Sequence, residues 1–256
     1  MCKLLGLTLG TIFLTTFLYG QEITKEEIVK FQIKSITTID GDDIIKSIDI
    51  YNDKGDIVRI NDKKNDEIKT RKEFIYNDNS LLTEERTFNT EGRIHRISKY
   101  TYNTKNQLVK EESFDPDKID LTWTYEYDET GNKIKATKAS GTMGNSVTLY
   151  KYSGKQLIEE QTTTESIGKE EKITYKYNDK GQVTENKSKH FYFNTTITLT
   201  YIYDDTGKLM ELREKSSNGV SSRTTYQYDD KGLLVGDTWK SSLDKTPNKT
   251  RYIIEF

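Results

Sequence analysis

Residues 175 to 181 read "YKYNDKG" and residues 201 to 207 read "YIYDDTG", nearly the same phrase 26 positions later. Taking the second aromatic of each such phrase, the chain sets Tyr51, Tyr76, Tyr102, Tyr127, Tyr152, Tyr177, Tyr203 and Tyr228 at steps of 25 or 26 residues. A fixed period of that size marks one supersecondary unit copied along the chain. The unit is clearest in "KITYKYNDKGQVTEN": an alternating strand, a polar turn ending in glycine, and a second strand that opens on an aliphatic residue. Gly55, Gly131, Gly181, Gly207 and Gly232 each stand four positions after their tyrosine. That spacing fits a type I turn followed by a residue at positive φ, which closes a β-hairpin with a bulge. Asn52, Asp53, Asn77, Asp128, Asp204 and Asp229 suit the turn because their side chains bond the nearby backbone. Asn106 and Ser80 replace the glycine in two copies, and "YKYSGKQL" shortens its turn. These three hairpins are expected to be less regular.

In "ITLTYIYDD", Ile197, Leu199, Tyr201 and Tyr203 share one parity, and Thr198, Thr200 and Ile202 the other. Period-two alternation puts the aromatics on one face of a sheet. The aliphatic residues Leu108, Leu157, Val183, Leu209 and Leu234 of the return strands are expected to bridge neighbouring tyrosines. Looser turn signals such as "NTEG" at 89 and "SSNG" at 216 lie midway between the phrases and reverse the chain. The expected fold is therefore all-β: an antiparallel β-hairpin repeat array of about eight 25-residue repeats, with about sixteen strands. It is expected to curl as a β-meander into an open shell that covers its own aromatic face. The array takes in residues 47–256, residues 21–46 form an N-terminal cap, and "TRYIIEF" at 250–256 is a closing half repeat.

Residues 1–20 carry one charge, Lys3, and an apolar run from Leu4 to Leu18, followed by Gly20 and Gln21. This reads as a secretory signal peptide, with a run too short for a stable membrane span. The expected compartment is secreted, periplasmic or cell envelope, with no integral span after cleavage. Cys2 precedes the apolar run and leaves with it, so no disulfide is expected. The formal net charge of −2 becomes −3 once Lys3 is removed, a balance that gives no footprint for nucleic acid. Only 33 % of residues are apolar and 31 % are charged, which alone would suggest disorder; the periodic aromatics argue otherwise.

The phrase Y-D-x-x-G with a period in the twenties, plainest in "YEYDETGNKI", resembles the YD repeat of the Rhs family. The resemblance covers residues 47 to 256 and implies an exported hairpin array of the kind that winds into a spiral β-shell. It implies no catalytic residue, and no toxin domain or self-cleavage motif follows the repeats.

Little else in the chain points to chemistry. His95 and His190 are the only histidines and neither has a second ligand at metal spacing, so no metal site and no cofactor is expected. The acidic turns lack the spacing of a calcium loop and read as turn formers, with weak calcium binding as the alternative. No nucleophile elbow or phosphate-cradling loop is present, so the protein is read as non-enzymatic. The binding candidates are exposed aromatics: Tyr192 in "HFYF", opposite in parity to the core-directed Phe191 and Phe193, and Trp239 near the last repeat. The functional expectation is a binding module or scaffold for a protein or glycan partner. A structural envelope component without a ligand and an outer-membrane β-barrel are the alternatives.

Overall fold

The computed structural model describes residues 22–64, 67–115, 118–140, 144–165, 169–191 and 194–256. Among the described residues one short helix, α1 (Lys25–Phe31), precedes eighteen strands. They are β1 (Ser35–Asp40), β2 (Ile45–Tyr51), β3 (Ile57–Lys64), β4 (Glu67–Tyr76), β5 (Leu82–Phe88) and β6 (Ile94–Tyr102). Then come β7 (Leu108–Asp115), β8 (Lys118–Tyr127), β9 (Lys133–Ser140), β10 (Ser146–Ser153), β11 (Gln156–Thr164) and β12 (Lys169–Tyr177). The last six are β13 (Val183–His190), β14 (Thr195–Tyr203), β15 (Leu209–Ser216), β16 (Ser221–Tyr228), β17 (Leu234–Ser241) and β18 (Asn248–Glu255).

Each strand pairs antiparallel with the next, and β1 pairs with β18, Ser35 opposite Glu255 through Asp40 opposite Thr250. The sheet is thus a closed, up-and-down barrel of 18 strands. This corrects the expected open, curled array of about sixteen strands. The reason lies in residues 21–46, which hold α1 and also a strand, β1, that bonds the first repeat on one side and the last strand on the other. Closure removes both edges, which an open array would leave with unpaired N–H and C=O groups.

The hairpin grammar is realised closely. Asn178 Oδ1 accepts from the backbone N–H of Lys180 and Gln182, and the Gly181 N–H donates to the Asn178 carbonyl at 2.9 Å. Gly181 has φ +78°, and the pairing Lys176–Glu185 then Tyr177–Val183 skips one residue, which is the bulge. Ser80 and Asn106 hold the same positive φ, 56° and 60°, so the two substituted copies keep the turn despite the steric cost. Gly181→Val is expected to destabilise the protein by about 2 kcal/mol, because a β-branched side chain is strained at positive φ. An unchanged urea midpoint would show that the turn relaxes freely.

The repeated tyrosines face the barrel interior, and their hydroxyls explain the period. Tyr76, Tyr102, Tyr127, Tyr152, Tyr177, Tyr203 and Tyr228 each donate to the carbonyl of the first or second residue of the return strand of the preceding repeat. Tyr177 reaches Leu157 at 2.6 Å and Tyr203 reaches Val183 at 2.9 Å. Those carbonyls sit beside the bulge, where the ladder is interrupted, so each phenol satisfies a group its neighbour leaves free. Leu199, Tyr201, Leu209, Tyr226 and Leu234 form the largest interior cluster, and Ile23 packs against it. A second cluster, Ile28, Ile33, Ile36 and Leu233, seats α1 over the mouth formed by the aromatic turns. Thr24 caps α1 through a reciprocal bond with Glu27, and Lys25 pairs with the buried Asp56.

Candidate functional site

Directly opposite the first aromatic of each phrase, on the return strand, stands an inward-facing residue: Phe74 with Glu85, Tyr100 with Glu111, Tyr150 with Glu160, Tyr226 with Asp237. Strand pairing and period-two alternation therefore build an inner belt of aromatic rings that carboxylates join in these four repeats, while Tyr125, Tyr175 and Tyr201 face Ala136, Asn186 and Leu212. Each acid has a partner. Lys72 Nζ lies 2.6 Å from Glu85, the Tyr125 hydroxyl donates to Glu111 at 3.3 Å, the Tyr175 hydroxyl donates to Glu160, and Tyr252 donates to Asp237 at 2.7 Å. In the repeat where the belt residue is Ala136, the return strand opens on Lys133 instead of an aliphatic residue. Its ammonium sits 5.4 Å from the Tyr125 ring and 4.5 Å from the Tyr150 ring. Two aromatic faces thus stabilise a buried charge.

Burial pushes the Glu111 carboxyl up to about 7, and it raises Glu160 as well. The Tyr102 and Tyr152 phenols rise to about 12 for the same reason, so they act as hydrogen-bond donors and not as bases. Because the folded Glu111 holds its proton more tightly than an unfolded carboxyl near 4.5, stability falls as pH rises from about 4.5 to about 7. The expected loss is up to about 3 kcal/mol. Glu111→Gln keeps an acceptor for Tyr125 and is expected to flatten that slope. Urea unfolding of both proteins across this pH range checks it, and an identical slope in the variant would locate the titration elsewhere.

Beneath α1 the interior opens into a cavity of about 490 Å³, lined by Glu22, Asp49, Tyr51, Ile60, Leu234 and Tyr252 among others. Burial raises both the Glu22 and the Asp49 carboxyls. Asp49 Oδ1 is buried and has no hydrogen-bond partner. The cavity joins an apolar wall to two carboxyls and two phenols, an arrangement suited to holding a small ligand.

The two aromatic candidates fare differently. Trp239 lies opposite Thr224 and Asn248, two residues beyond Asp237 on the inward face, and is half-buried. It is therefore part of the interior and not an outer contact. Tyr192 and Phe193 lie outside the described residues; Phe191, expected in the core, is 39 % exposed at a turn. His190 Nδ1 stands 3.0 Å from Glu171, and no group of three or more metal-ligating side chains occurs among the described residues. The belt of acids escaped sequence reasoning, although a signal was there: Glu85, Glu111 and Asp237 each stand nine residues after the second aromatic of their phrase.

No family model and no curated protein matches the chain. Solved structures similar to it include a porin-like protein from Bacteroides uniformis, with 13 % identity over 87 % of this chain and 96 % of that one and a TM-score of 0.48. A porin-like protein from Bacteroides vulgatus shows 9 % identity over 87 % and 98 %, with a TM-score of 0.38. Independently of these likenesses, closure into an 18-stranded barrel supports the outer-membrane barrel alternative more than an open recognition array.

Proposed function

We propose that the chain is an exported β-barrel of the cell envelope whose outer wall stands in water and whose interior holds a ligand, without enzymatic chemistry. In this reading the hairpin unit is YD-like but closed into a ring. The observation that carries it is the division of side chains between the two faces. Tyrosine, leucine and partnered acids point inward, while Lys110, Glu112, Lys172, Lys187, Arg213, Arg223 and Lys240 alternate with them and point outward. A lysine or arginine held at mid-bilayer costs about 2 to 4 kcal/mol. Strands β15, β16 and β17 also have 8 residues each, against about 9 to 11 for a strand that crosses a bilayer.

The second reading, a lipid-inserted outer-membrane barrel, is favoured by closure itself and by the strand number. Expression of the full gene separates the two. A barrel in water is expected to be released from the envelope or medium without detergent, with its N-terminus near Gln21, and to remain monodisperse. A species that pellets with membranes, needs detergent and migrates differently after heating would overturn the proposal in favour of the lipid-inserted barrel.

A further inference from the structure

The outward face of β13 to β17 is strongly basic. Along one cross-strand row the outer residues are Glu185, Thr200, Arg213, Arg223 and Lys240, and along the next Lys187, Thr198, Lys215 and Ser221. Arg213 is directly opposite Arg223, and Arg223 directly opposite Lys240. Like charges placed opposite one another destabilise a sheet. One acid offsets part of this: Glu211, buried beneath both arginines, pairs with Arg213 and with Arg223. Of the other nearby acids, Glu185 pairs with Lys176, Glu214 faces inward against Ser222, and Asp244 stands in the turn after β17. Among the described residues Lys187, Lys215 and Lys240 enter no ion pair, and all three are exposed. Arg213, Lys215, Arg223 and Lys240 border a shallow depression of about 380 Å³.

We propose that this wall is a binding surface for an acidic polysaccharide, a glycan chain carrying carboxylate or sulfate groups. Neighbouring strands lie about 4.8 Å apart, so a chain laid across β15 to β17 along the first row meets one cation per strand at a step close to one sugar unit, and along the second row it meets a cation at every other strand. The Thr198 hydroxyl lies between Lys187 and Lys215, Thr200 is beside Arg213 and Ser221 beside Lys215, and these hydroxyls match those of a sugar. No outward aromatic or aliphatic side chain stands in these two rows, which is what insertion into a lipid surface would require. The arginines offer planar, two-pronged contacts that fit carboxylate and sulfate better than a point charge does. The proposal rests on the outer wall meeting water, and protein purified without detergent satisfies that condition before any binding is measured.

The test is calorimetric titration of the detergent-free protein with polygalacturonate and with heparin fragments, alongside polyglutamate and vesicles of anionic phospholipid. Binding of at least one acidic glycan is expected, weakened by added salt. The triple variant Lys187→Glu, Lys215→Glu, Lys240→Glu should weaken that binding roughly a hundredfold. Its melting temperature should stay near that of the parent, since all three side chains are exposed. The control Lys105→Glu, Lys155→Glu, at turns of other repeats, should bind as the parent does. Absence of glycan binding, equal binding of polyglutamate, binding to vesicles alone, or insensitivity to the triple variant would each overturn the assignment.

Discussion

Removing residues 248–256 is expected to abolish cooperative unfolding and leave an aggregating or multimeric product. The segment contains β18, which pairs with β1 over six residue positions and with β17 over four. Without it, β1 and β17 become free edges, each a row of unsatisfied backbone groups open to other chains. Tyr252 and Ile254 also leave the cluster under α1, and Asp237 loses the Tyr252 hydroxyl. The combined loss is roughly 5 kcal/mol or more, which is the order of the whole net stability of a domain. Size-exclusion chromatography with urea unfolding reads the outcome. A monomer that unfolds with the parent's midpoint would mean that the repeats are self-sufficient as an open array, and that closure is incidental.

Gly236→Val is expected to cost about 3 kcal/mol, through a different mechanism at the same seam. A Cβ at Gly236 would lie 2.7 Å from the Thr250 carbonyl oxygen, a backbone atom that cannot swing aside. The strands must separate there, at the Gly236–Arg251 pair, where β17 begins to bond β18. Thr238→Val, two residues along on the same face and opposite Lys249, serves as the comparison. A β-branched replacement of a β-branched residue should change stability by under about 1 kcal/mol. Equal melting temperatures for the two variants would show that the seam has slack the geometry does not suggest.

Local chemistry was legible in the residues. The spacing of tyrosine, Asx residue and glycine specifies strand, turn and bulge through contacts within a few positions, and the structure forms them even where Ser80 and Asn106 stand in for glycine. Alternation assigned the aromatics to one face for the same reason, since period two is a property of the strand itself. Side-chain roles that depend on the neighbouring strand were harder to see. Glu111 looks like any other acid until Tyr100 is placed across from it and the Tyr125 hydroxyl against it. Trp239 reads as a surface aromatic until its register with Thr224 and Asn248 turns it inward.

By itself the sequence determined an all-β chain of antiparallel hairpins with one aromatic face, because each hairpin is decided by interactions inside its own 25 or so residues. Only the tertiary structure decided that the sheet closes. Closure depends on Ser35–Asp40 meeting Asn248–Glu255 across more than two hundred residues, and on the accumulated twist of the intervening strands bringing those two edges together. No local pattern encodes that sum. The same closure turned a shared aromatic face into an interior and its charged opposite into an outer wall.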